Sequence, residues 1–152
     1  MPFIIVNNHK LHYTDSKPPS TESQVAPRAS LILVHGLGST QNYYSPILPT
    51  LTGSNYRCIT FDNYGAGRSE YVNGQVASIE GIGADVLALL DALQVPKAIV
   101  MGYSMGGMLP TYLASTKPER VLAGICIGPV NPSPGVADVF RKRIETVRAG
   151  MS

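Results

Sequence analysis

The chain has no tryptophan, three phenylalanines, two cysteines and three histidines in 152 residues, and only 14% of its positions are charged. With two cysteines, Cys58 and Cys126, both inside apolar runs and without metal-ligand spacing, neither a disulfide scaffold nor a cysteine-based metal centre is expected. Both are expected to be buried small hydrophobes in a reduced protein. A net charge of +2 is too small to project a strong field, so no nucleic-acid partner is expected. No apolar run approaches the length of a membrane span, and the apolar start Phe3-Ile4-Ile5-Val6 turns polar too soon for a signal peptide. The expected location is cytoplasmic, with no membrane partner. What is present in quantity is apolar residue, 44% of the chain, enough for one buried core.

Phe3–Val6 and Leu11–Thr14 flank the polar Asn7-Asn8-His9-Lys10 and predict an edge hairpin, in which His9 and His12 are expected to be solvated. The proline-bearing stretch Ser16 to Ser30 predicts a surface loop. Leu31–Val34, Tyr56–Phe61, Ala98–Met101 and Val121–Ile127 are short apolar runs, as in strands covered on both faces. Helices are expected at Tyr44 to Leu51, Ser78 to Gln94 and Met105 to Thr116. In the second, Ile79, Ile82, Val86, Leu90 and Leu93 form one apolar stripe, with Ser78 as cap and Glu80 in the first turn. Pro110 falls far enough inside the third to be expected to kink it. Alternating strands and helices predict an α/β fold with a mostly parallel sheet. Gly128 to Gly135, with three prolines, reads as a linker, followed by an amphipathic helix from Val136 to Ala149 whose basic face is expected to be solvated.

Three motifs carry chemistry. Gly102-Tyr103-Ser104-Met105-Gly106 follows an apolar strand and precedes a helix, the setting of a serine on a sharp strand-to-helix turn. Small residues at Gly102 and Gly106 let the backbone turn tightly and project the Ser104 hydroxyl, while the Met105 N–H faces a developing oxyanion. A chance five-residue match in a loop would lack the flanking strand and helix. Val34-His35-Gly36-Leu37-Gly38 ends another strand, and the Leu37 N–H is the expected second oxyanion donor. His35 is expected to brace its turn by hydrogen bonding rather than serve as general base. Asp62-Asn63-Tyr64-Gly65-Ala66-Gly67-Arg68-Ser69 follows a third strand, and Asp62 is suited to accept N–H bonds from its own turn. As a triad acid Asp62 would need a histidine to orient, and none is evident.

Together these motifs resemble the α/β-hydrolase superfamily, in the branch of esterases, lactonases and related serine hydrolases such as the 3-oxoadipate enol-lactonases. The resemblance covers Phe3 to about Ile127 and implies an α/β-hydrolase fold truncated after about the sixth strand. Residues 1–128 would be the N-terminal part of the core, and 129–152 a linker with the first cap helix. A serine at position 104, where epoxide hydrolases of this fold carry aspartate, implies cleavage of a carboxylic ester or lactone through an acyl-enzyme. The family order is serine, acid, histidine, yet no histidine follows Ser104. The later carboxylates, Glu119, Asp138 and Glu145, include none just after the sixth strand. The expectation is therefore a hydrolase fragment nearly inactive alone. Two other readings stand beside it: a non-catalytic binding or scaffold protein that keeps the pocket, and one subunit of a two-chain hydrolase. No metal or organic cofactor is implied, and self-association through an exposed edge strand is expected.

Overall fold

Asn7 and Asn8 both take positive φ, 46° and 65°, the backbone pair of a two-residue hairpin turn whose twist matches that of its strands. In the computed structural model, which describes residues 2–19, 26–72, 74, 76–131 and 133–150, this turn joins β1 (Phe3–Val6) to β2 (His9–Ser16). The turn is two residues shorter at its far end than the sequence suggested. His9 and Lys10 therefore lie in β2, with Val6 opposite His9 and Phe3 opposite His12. Of the expected loop from Ser16 to Ser30, positions 20–25 lie outside the described residues, while Ser16 ends β2 and Ala29 opens β3 (Ala29–Val34).

β4 (Tyr56–Phe61), β5 (Ala98–Tyr103) and β6 (Val121–Ile127) complete a six-stranded sheet of order β1-β2-β4-β3-β5-β6. The β3–β4, β3–β5 and β5–β6 pairs are parallel, and only the pairs made by β2 are antiparallel. The chain is thus a mostly parallel α/β fold with helices between strands. On one face, Ile32, Val34, Ile59, Phe61 and Val100 meet α2 (Ile79–Ala92) through Ile82, Val86, Leu89 and Leu90, and α3 (Leu109–Thr116) through Leu109 and Leu113. The Ser78 hydroxyl accepts the Gly81 N–H at 3.0 Å and caps α2. The opposite face turns Leu31, Leu33 and Cys58 toward Tyr44 and α1 (Leu48–Gly53).

Several local expectations are corrected. The helix expected from Tyr44 to Leu51 is a 3-10 turn at Gln41–Tyr44 followed by α1, because Pro46 and Pro49 each remove a donor and suit only a helix's first turn. Pro110 produces no kink, since a 3-10 turn at Gly106–Met108 precedes α3 and leaves the proline in its first turn. Cys58 is buried, which pushes its thiol up to about 11, but Cys126 is exposed. β6 is the end strand of the sheet and is largely uncovered, with Leu122 54% and Ile125 41% exposed. α4 (Pro134–Arg148) begins two residues earlier than expected and is mostly exposed. Among the described residues no helix is long and apolar enough to cross a membrane.

Candidate active site

β5 runs straight into a tight turn at Ser104. Ser104 has φ of +55°, a left-handed conformation that costs a residue with a Cβ about 1 kcal/mol or more. Its N–H donates to the Ile127 carbonyl at 2.9 Å, and its carbonyl accepts the Gly107 N–H at 3.0 Å. The flanking glycines are required by contact. A Cβ on Gly102 would stand 1.9 Å from the Gly106 carbonyl oxygen, and one on Gly106 would stand 2.2 Å from that of Val34. The Gly106 contact also wedges the serine turn against the end of β3, where the second glycine motif begins.

That second turn comes equally close, since a Cβ on Gly36 would lie 3.1 Å from the Ser104 Cβ. Leu37 follows, 65% exposed, and the chain then bends back with Gly38 at φ of +70° and a Ser39 N–H bond to the Gly36 carbonyl at 3.3 Å. Among the described residues no protein acceptor takes the N–H of Leu37 or of Met105. Beside both lies a cleft of about 260 Å³ lined by Ala77, Ser78, Ile79, Ile82, Met105, Met108 and Val130, together with Leu37 and Phe140 of α4. Val130, Met108 and the Ala77–Ile79 segment were not marked by any motif, because only the tertiary fold assembles them.

The three histidines are all engaged away from this cleft. His35 donates Nδ1–H to the Gly36 carbonyl at 2.8 Å, bracing its own turn, and accepts the Asn63 N–H on Nε2 at 3.0 Å, which ties the end of β3 to the loop after β4. Burial holds its pKa below the ordinary histidine value, against the opposing pull of the Gly36 bond and of Asp62. His12 and His9, expected at the surface, are 3% and 5% exposed. His12 Nδ1 donates to Asp62 Oδ2 at 2.8 Å, and His9 Nε2 meets Asp85 Oδ2 at 3.0 Å while Asn7 donates to the other Asp85 oxygen at 2.8 Å.

Asp62 is the hub of a buried cluster. Its carboxylate also accepts the N–H of Gln41 at 2.8 Å and of Arg68 at 3.0 Å. Burial alone would push its pKa up, but the two N–H bonds and His12 outweigh that and hold it below the ordinary carboxylate value. Ser69 reinforces the tie, its hydroxyl donating to the Asp62 carbonyl at 2.6 Å and accepting the His12 N–H at 2.9 Å. The histidine that orients Asp62, absent from the sequence reading, is His12, delivered by the antiparallel pairing of β2 with β4.

Residues 29–150 match the family described as alpha/beta hydrolase fold. The chain belongs to that family. Among its relatives, "Putative carbamate hydrolase RutD" of Pseudomonas syringae is 33% identical over 121 residues, which are 79% of this chain and 46% of that protein. Karrikin insensitive 2 receptor IA of Petunia hybrida is 32% identical over 93 residues, 59% of this chain and 34% of that protein. The enol-lactonase from Burkholderia xenovorans LB400 superposes with a TM-score of 0.78 at 28% identity, covering 97% of this chain and 56% of its own. This α/β-hydrolase-fold chain therefore spans about half the length, or less, of the curated relatives it matches.

Proposed function

We propose that Ser104 is the nucleophile of a carboxylic ester or lactone hydrolase that works through an acyl-enzyme. The observation that carries this reading is the strained Ser104 turn, clamped between Gly102 and Gly106 and packed against Gly36, with no protein acceptor among the described residues for the N–H groups of Leu37 and Met105, the residues that follow Gly36 and Ser104. Ser104 Oγ bonds to the acyl carbon as its proton leaves to a base. The carbonyl oxygen takes up the negative charge and accepts the Leu37 and Met105 N–H bonds. The C–O bond to the alcohol then breaks as the base returns the proton to the leaving oxygen, and water, giving its proton to the same base, later cleaves the acyl-serine ester to the acid and restores Ser104. Relatives named as a carbamate hydrolase and an enol-lactonase support acyl chemistry of this kind.

The base is not one of the chain's own histidines, since His9, His12 and His35 are bound to Asp85, Asp62 and the Asn63 turn. Turnover by these 152 residues alone is accordingly very slow, and in the whole hydrolase the base comes from outside them. In the same reading, α4 roofs the cleft as the first helix of a cap, and the uncovered β6 edge promotes self-association.

Intact-mass spectrometry with a small alkyl fluorophosphonate tests the assignment. Slow labelling over hours, confined to Ser104 and absent in Ser104→Ala, is the expected result. No labelling, or labelling elsewhere, removes the nucleophile, whereas stoichiometric labelling within minutes shows that a base is already present.

A further inference from the structure

We propose that the cleft lined by Leu37 and by Met105, the residue after Ser104, is a binding site for an uncharged aliphatic acyl group, which narrows the substrate class to neutral apolar esters and excludes acyl groups bearing a second carboxylate. The inference rests on the acyl-transfer reading of Ser104 for its chemistry, but not for its binding. Ile79 and Ile82 of α2, Met105, Met108, Val130 and Phe140 of α4 all line the cleft, so contact is made by hydrocarbon and thioether surface. Among the described residues that line the cleft none carries a charge. The one side-chain hydroxyl among them, Ser78, already accepts the Gly81 N–H.

A carboxylate entering this space would leave water without meeting a cation, and the neutral donors there, the Ser78 O–H and the N–H groups of Leu37 and Met105, do not neutralise a full buried charge. Arg143 places its guanidinium 5.8 Å from the Phe140 ring centre, but it is exposed and does not line the cleft, so solvent screens it. An alkyl chain gains from each methylene removed from water, and the flexible side chains of Met105 and Met108 adapt to its shape. At about 260 Å³ the space lies at the small end of ligand pockets, which fits a short to medium chain.

Equilibrium titration with a series of methyl ketones of increasing alkyl length, followed by NMR of the methionine methyl groups, needs no nucleophile and reads the cleft directly. The dissociation constant is expected to fall about fourfold per added methylene until the space is filled. The Met105 and Met108 signals should move, and the methyl ketone of matched length that bears a carboxylate at the far end of its chain should bind at least about tenfold more weakly. Phe140→Lys, at a half-buried position on the exposed α4, should bring the carboxylate to parity or better. A flat chain-length series, or a carboxylate as tight as the ketone in the unaltered protein, overturns the proposal. A chain-length dependence without phosphonate labelling keeps the cleft and removes the acyl-transfer reading. Labelling with a flat series does the reverse.

Discussion

His12 and Asp62 are 50 residues apart in the sequence and 2.8 Å apart in the fold, joining the N-terminal hairpin to the loop that follows β4. The Asp62 carboxylate gathers three donors, from His12, Gln41 and Arg68. Asp62→Asn presents an NH₂ group to some of them and should cost about 3 kcal/mol, since each buried donor left unpaired costs about 1–3 kcal/mol. The pH dependence has a defined sign. Because the folded carboxyl lies below its unfolded value, its contribution is complete above about pH 4 and is lost as pH falls through the lower folded value. Urea denaturation between pH 2 and 7 should show a steep acid loss in the parent protein and a shallower one in Asp62→Asn, and identical slopes would contradict this role.

His35 works in the opposite region of pH. Its ring is held neutral by burial and by accepting the Asn63 N–H, so below about pH 6.5 the unfolded chain takes up a proton that the folded chain resists. Stability therefore rises with pH from about 5 to 7, by up to about 1.4 kcal/mol per unit. In His35→Gln, which keeps a carbonyl acceptor for the turn, that segment of the curve should flatten. A parent protein equally stable at pH 5 and pH 7 would remove this assignment.

The strands, their parallel order and the glycine-bounded turns were legible because each rests on local chemistry. Apolar runs such as Leu31–Val34 need cover on both faces, and Gly102 and Gly106 mark a turn that admits no side chain. His9 was misplaced because a two-residue turn at Asn7-Asn8, in place of a four-residue one, moves it into the strand that pairs with β1, whereas His12, already expected in that strand, was misread as solvated because β2 also pairs with β4 and is not an edge. Their carboxylate partners, 50 and 76 residues away, leave no local mark. Cys126 was misread for a different reason, as composition reveals an apolar strand but not that β6 ends the sheet. The cleft was illegible for the same reason, since Ile79, Met108 and Val130 meet only in three dimensions.

Gly106→Ala forces a methyl group to 2.2 Å from a backbone oxygen that no side-chain rotation can move. The cost should exceed about 4 kcal/mol, the range of severe core disruptions, and much of the soluble folded protein should be lost. Gly53→Ala at the end of α1 is the matched control, with open space around the new methyl and no positive φ. It should be neutral or stabilising by up to about 1 kcal/mol in a thermal melt followed by circular dichroism. Equal effects at the two positions would mean that the serine turn is not clamped as described.

The β6 edge exposes Leu122 and Ile125 beside backbone groups that no further strand pairs among the described residues. Such an edge templates strand addition by another copy. Sedimentation velocity should show association that grows with concentration, and Leu122→Lys, a charge placed on the edge, should shift the protein toward monomer with no loss of thermal stability. A parent protein that remains monomeric over the whole concentration range would remove the edge as an association surface.

Ser104 sits at φ of +55°, where any residue with a Cβ is strained and glycine is not. Ser104→Gly should therefore stabilise the protein by about 1 kcal/mol while removing the serine hydroxyl from the turn. Ser104→Ala retains the strain and should leave stability within about 0.5 kcal/mol of the parent. Both variants should lose phosphonate labelling, so the pair separates the backbone cost of the turn from the chemistry placed on it. A structural serine, held for its packing or hydrogen bonds, would give the reverse order, with glycine the less stable of the two. Chemical denaturation of the three proteins side by side decides between these outcomes, because a strained position kept for its hydroxyl is one where removing the side chain improves the fold.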